Sequence, residues 1–183
     1  MNSKVKSFIL EDLFEIYCDK FKDNRGLFLN FFRENDERFN KTWGQNPIKQ
    51  INVSLTKEVG SIRGLHFQSK PYEEAKIVQC LKGKVWDVVV DLRVNSKTFG
   101  KWCAFELSPD LSNSIVIPKG CAHGFQVLEP NSELLYIHSE NWKPSHDRGV
   151  IWNDETLAIS WPLSLTNISE KDKKLPSLSF YEI

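Results

Sequence analysis

KVWDVVVDL, Lys84 to Leu92, is the stretch on which the fold class turns. It is rich in β-branched residues, and its period is two rather than 3.6, which marks a strand and not a helix. Lys82-Gly83 just before it supplies a turn from an earlier run, Ile77–Leu81. Outward from this pair the same texture repeats at Lys101–Leu107, Ser114–Ile117, Gly124–Leu128 and Glu133–Ser139. Pro109-Asp110, Pro118-Lys119-Gly120 and Glu129-Pro130-Asn131 separate these runs as turns. Short strands at regular spacing predict an all-β barrel or sandwich, with Trp86, Val89 and Phe105 in its core. Helical signals are few. Glu34–Asn40 reads as a turn or short helix, Ser169–Lys174 as another opened by an N-cap serine, and Lys41–Pro47 as a loop.

The chain has 183 residues, enough for one domain with a real core, and no repeat or linker divides residues 1–183. Lys plus Arg and Asp plus Glu both total 24, so no net field recommends nucleic acid or an anionic membrane as a partner. Cys18, Cys80, Cys103 and Cys121 are widely spread with no CxxC pair, which argues against a zinc site and a disulfide framework. Cys80 and Cys103 lie in apolar runs and read as inert core thiols. The opening MNSKVKSFILEDLFEI is too briefly apolar for a signal peptide or membrane span, so a cytoplasmic protein is expected.

Within RGLHFQ, residues 63–68, His66 stands among apolar neighbours beside Arg63 and Gln68. Taken alone it fits a metal ligand, a proton-transfer group or a satisfied interior histidine. Pro118-Lys119-Gly120-Cys121-Ala122-His123 matches the second half of the cupin motif. Metal-dependent cupins supply two histidines one residue apart in the first half, whereas here Gly64 and Gln68 flank a lone His66, so no metal is expected.

The ordered fragments FKDNRGLF (21–28), QINVS (50–54), RGLHFQ (63–68), AK (75–76), DVVVDLR (87–93), AHGF (122–125), WND (152–154) and WP (161–162) make the resemblance specific. Over about residues 8–180 the chain resembles the dTDP-4-dehydrorhamnose 3,5-epimerase family of the deoxysugar pathway leading to L-rhamnose. The resemblance implies a cupin-type double-stranded β-helix, a jelly-roll barrel with short peripheral helices, usually a homodimer and free of metal and redox cofactor. It implies a dTDP-linked 4-keto-6-deoxyhexose as substrate, whose C4 ketone acidifies the hydrogens at C3 and C5.

The resemblance also implies roles. His66 matches the base, whose ordinary pKa lies near neutrality. Asp172 matches the carboxylate that orients it, Tyr136 the proton donor on the opposite face, and Lys76 the cation beside the carbonyl oxygen. Arg25, Phe28, Asn30, Gln50, Asn52, Arg63 and His123 align with substrate-contacting positions, the arginine forks suiting a diphosphate. Asp147, in place of Glu, and Lys171 fall at two further contact positions. Trp142 stands where the family commonly stacks a Tyr on thymine. Asn30 departs from the usual Glu, which keeps another nucleotide open. Single-site epimerisation, a noncatalytic sugar-binding cupin and a metal-dependent oxygenase are the competing readings. The plain alternatives are a solvated carboxylate at Asp172, a surface lysine at Lys76, structural ion pairs at Arg25 and Arg63, and packed rings at Tyr136 and Trp142. His138 and His146 receive no role.

Overall fold

The computed structural model describes residues 5–33 and 35–181. Its strands are β1 (Val5–Ser7), β2 (Phe14–Tyr17), β3 (Asp19–Asp23), β4 (Gly26–Asn30), β5 (Gln50–Thr56), β6 (Ile62–Gln68), β7 (Lys76–Lys82), β8 (Val85–Asp91), β9 (Trp102–Leu107), β10 (Asn113–Ile117), β11 (Cys121–Val127), β12 (Ser132–His138) and β13 (Asp147–Gly149). One sheet runs β1-β2-β10-β7-β12-β5 and a second β13-β6-β11-β8-β9, while β3 and β4 form a separate hairpin. The pairings are antiparallel, as short turns between consecutive strands require.

Alternation in β8 sorts its side chains between two cores. Val85 and Val89 point between the sheets, against Val78 of β7, Ile115 of β10 and Leu134 of β12. Val88 and Val90 point outward, beneath Val150, Leu157 and Leu178 of the irregular C-terminal segment. Both faces of the strand are therefore dry, which is why its sequence is nearly continuous in apolar residues. Phe105 and Val89 occupy the interior as expected. Trp86 does not: it shares the parity of Val88 and packs, partly buried, on the outer cluster. The outer face of the six-stranded sheet is covered by Phe39 and Trp43, which sit on Ile77, Val116 and Ile137. No helix among the described residues is long and apolar enough to cross a membrane.

Two helix expectations shift. The first helix, α1, spans Glu37–Thr42, and Glu34 of the expected segment lies outside the described residues. Asp36 caps it by accepting from the Arg38 N–H at 2.9 Å. Lys41 and Thr42 belong to this helix rather than to a loop, held by Glu37–Lys41 pairing at 2.6 Å and a Thr42 hydroxyl donated to Arg38 O at 2.7 Å. Of the expected Ser169–Lys174 segment only Asp172–Lys174 forms a 3-10 turn; the Ser169 hydroxyl precedes it and accepts from the Asp172 N–H at 3.0 Å.

Asp91, fully buried at the end of β8, ties down the following loop. It accepts from Arg93 at 2.8 and 2.9 Å and from the Ser96 and Thr98 hydroxyls, both at 2.6 Å. Burial alone would raise its pKa, but these donors outweigh it and hold the carboxyl at about 2. The folded value lies below the unfolded one, so the stabilisation is complete above about pH 4 and disappears as pH falls toward 2. Asp91→Asn is expected to cost on the order of 2 kcal/mol at neutral pH and to flatten the acid limb of the unfolding curve. Urea titrations between pH 2 and 7 measure both, and an unchanged acid limb would contradict the assignment.

Candidate active site

Between the two sheets opens a cavity of about 810 Å³. One wall is the five-stranded sheet, with β6 and β11; the facing wall is the six-stranded sheet, with β5, β7 and β12. A register shift in β6 decides what that first wall presents. His123 and Phe125, two residues apart on β11, pair with His66 and Arg63, three residues apart on β6. Directly opposed residues point to the same side of a sheet, so the extra residue turns both Arg63 and His66 inward while Leu65 goes to the outer core. Gly64 is required there: its φ is +106°, and a Cβ would lie 2.6 Å from the carbonyl oxygen of His123.

His66 Nε2 lies 2.7 Å from Asp172 Oδ1. The second oxygen, Asp172 Oδ2, accepts from the Gly64 N–H at 3.0 Å. At 3% exposure Asp172 is no solvated carboxylate. Burial pushes its pKa up, yet the His66 hydrogen bond and charge, with the Gly64 N–H, bring it below the ordinary value. An ionised Asp172 accepts from Nε2–H, which fixes the tautomer and leaves the lone pair on Nδ1.

Tyr136 projects from the opposite wall. Its hydroxyl lies 3.3 Å from the Ser54 hydroxyl, and burial raises its pKa above the usual phenol value against that partner. Its ring meets the His123 ring edge-on at 6.0 Å and lies nearly parallel to the His138 ring, also at 6.0 Å. His123 Nε2 is 2.7 Å from Asp87 Oδ2, whose pKa is raised by complete burial despite that partner. Lys76 is buried, not a surface lysine. Its Nζ lies 2.9 Å from Glu74 Oε1 and donates to His66 O at 3.4 Å. Burial would raise the pKa of Glu74, but His138 and Lys76 hold it at about 2.

At the mouth, Trp142 is 55% exposed, so it is not a core ring. Its backbone N–H donates to Gln50 Oε1 at 2.9 Å and its indole N–H to Asp147 Oδ2 at 3.2 Å. Lys171 pairs with that same Asp147 oxygen. Arg63 Nε donates to Thr56 Oγ1 at 2.8 Å, a neutral partner that leaves its charge available.

The cavity thus gathers His66, Tyr136, Asp172, Lys76, Gln50, Asn52, Arg63, His123, Trp142, Asp147 and Lys171. It does not gather Arg25, Phe28 or Asn30, which lie on the β3–β4 hairpin away from its lining. Arg25 instead holds Asp23 at 2.6 Å on the surface, and Phe28 is 65% exposed. Lining residues that the sequence reading left without a role include Ser54, Gln68, Glu74 and His138. His138 carried a signal, since it stands two residues after Tyr136 on one strand and so faces the same side. Among the described residues no three His, Cys, Asp or Glu side chains gather so as to hold a metal ion.

A family model described as dTDP-4-dehydrorhamnose 3,5-epimerase matches residues 7–179. A dTDP-4-dehydrorhamnose 3,5-epimerase of Sinorhizobium fredii is 41% identical over 160 residues, covering 87% of this chain and 81% of its own. That of Escherichia coli is 39% identical over 171 residues, covering 92% and 91%. The crystal structure of a Legionella pneumophila epimerase in complex with dTDP-4-keto-L-rhamnose superposes with a TM-score of 0.91 at 33% identity, covering 97% of this chain and 94% of that one.

Proposed function

We infer the chemistry from the family to which this chain belongs, the dTDP-4-dehydrorhamnose 3,5-epimerases. The chain is an isomerase, converting dTDP-4-keto-6-deoxy-D-glucose to dTDP-4-keto-L-rhamnose by inverting C3 and C5. The residue roles that follow are our reading of the cavity.

His66 Nδ1 takes the proton from C3 or C5, and the electron pair moves through the new C–C double bond onto the C4 oxygen. Asp172 steadies the imidazolium that results. Lys76 stands by the C4 oxygen, where a fixed cation is most useful as negative charge develops. Tyr136 returns a proton to carbon from the other side of the ring, and the Ser54 hydroxyl beside it helps hold the phenolate. One observation carries this reading: His66 and Tyr136 project from opposing walls into one cavity. A pyranose between those walls offers one face to each. Incubation in heavy water, followed by NMR, should place deuterium at both C3 and C5. No label would reject catalysis, and label at one carbon would reject double inversion.

Arg25, Phe28 and Asn30 suit a homodimer in which the β3–β4 hairpin reaches a second copy's cavity. Phe21, Leu27 and Phe28 are exposed on the hairpin, and Ile51, Val53 and Leu55 on the outer face of edge strand β5. A lone chain would leave that apolar surface wet. Sedimentation equilibrium at micromolar concentration should find a dimer, and Phe28→Asp should weaken it roughly tenfold or more. A wild-type monomer there would overturn the arrangement. Residues 1–183 act as one domain in this reading, in keeping with a family match that runs unbroken over 7–179. The four free thiols suit a reducing, cytoplasmic setting.

A further inference from the structure

His138 is buried at 9% exposure in the cavity, its ring lying beside that of Tyr136. Its Nδ1 is 3.3 Å from Glu74 Oε2, and its Nε2 is 3.3 Å from Asn52 Nδ2. A carboxylate can only accept and an amide nitrogen can only donate. The ring is therefore neutral, with its hydrogen on Nδ1 and its lone pair on Nε2.

The chain of donors continues consistently on both sides. Asn52 Oδ1 accepts from Gln50 Nε2 at 3.2 Å, and Gln50 Oε1 accepts from the Trp142 backbone N–H at 2.9 Å. On the other side Glu74 takes the Lys76 ammonium at 2.9 Å through its remaining oxygen. The Gln68 amide also donates to Glu74 Oε2, at 3.1 Å. One unbroken line of hydrogen bonds thus runs from Trp142 at the mouth through Gln50, Asn52, His138 and Glu74 to the buried Lys76, and His138 joins its two arms.

We propose that His138 is a positioning residue that holds two parts of the site at once: Lys76 through Glu74, and the Asn52–Gln50–Trp142 edge through Nε2. The proposal rests on the roles given above to Lys76 and to that edge. Its Nδ1–H shares the charge of Glu74, so that the carboxylate does not cancel Lys76 where the C4 oxygen becomes anionic. Its Nε2 orients the Asn52 amide, which in turn sets Gln50 beneath Trp142. The first function bears on the chemical step and the second on substrate binding.

Side-chain mimicry separates them. An asparagine places its amide nitrogen near the position of Nδ1, and a glutamine places its amide near Nε2. His138→Asn should keep kcat within about twofold and raise KM by about tenfold. His138→Gln should do the reverse, lowering kcat by about tenfold with KM within about twofold. His138→Phe should show both losses. Equal losses in both constants from all three variants would mean a merely structural residue and would overturn the proposal. A readout in the wild type does not depend on any variant folding: nitrogen-15 NMR of the four histidines should show His138 with its hydrogen on Nδ1 at neutral pH. The Nε2–H form would also overturn it. Deuterium exchange by the wild type in the same assay keeps the two levels apart. Exchange with a His138→Phe enzyme unaltered in kcat and KM rejects the positioning role alone, whereas a wild type without exchange rejects the underlying mechanism and this role with it.

Discussion

His66→Asn is expected to cut deuterium incorporation at both C3 and C5 by roughly a thousandfold while leaving substrate affinity within a few-fold of wild type. An amide nitrogen has no lone pair basic enough to take a proton from carbon, so the loss falls on the chemical step. The groups proposed to hold the nucleotide end are untouched, since Arg63, Gln50 and Trp142 make their contacts independently of the imidazole. Loss at both carbons together is the telling point, because one base serving two centres predicts it and two separate bases do not. Asp172→Asn should cause a smaller loss in the same direction. It keeps the volume but can present a donor to Nε2, favouring the tautomer with the hydrogen on Nδ1, where the lone pair is needed. Full activity in His66→Asn would remove His66 from the reaction.

Tyr136→Phe should uncouple exchange from inversion. In the proposed mechanism the base on β6 would still remove the proton, and Lys76, which lines the same cavity, would still face the enolate oxygen. With no donor on the β12 wall, the carbon is reprotonated from the side it was deprotonated from, so deuterium enters with retention. Net formation of the inverted product should fall by roughly a hundredfold or more, while label continues to accumulate in recovered substrate. Burial favours this role, since it raises the phenol's pKa and keeps the hydrogen on oxygen until a carbanion is there to take it. Unchanged rate and unchanged product would show that the second proton comes from elsewhere. Ser54→Ala, which removes the hydroxyl 3.3 Å from the phenol, should show the same defect in milder form.

Strands from β7 to β12 were readable in the sequence because their β-branched runs and proline turns are local signals, good to within a few residues. The earlier strands were less so. β3 and β4 carry Lys, Asp and exposed aromatics in place of a buried alternation, and β5 puts its apolar residues on the outer, uncovered side. In β6 the extra residue breaks the period that would have shown Arg63 and His66 facing one way. His66, Asp172, Tyr136 and Lys76 were legible only through the ordered motifs; Asp172 lies more than a hundred positions from its partner, a separation no periodicity reports. His138 and Glu74 were passed over for opposite reasons. His138 obeys the simple facing rule of its strand, whereas Glu74 precedes its strand and is drawn inward by pairing with Lys76 and His138.

Because the proposed base hangs from one sheet and the proposed donor from the other, the gap between them is set by what fills the space beneath. Val78, Val89 and Leu134 act there as a gauge block, and none of them lines the cavity. Trimming one of them would let the sheets settle closer, displacing an acid relative to a base with neither altered. On the roles proposed for His66 and Tyr136, stereochemical fidelity is thus partly a matter of hydrocarbon volume, held by residues that have no chemistry of their own.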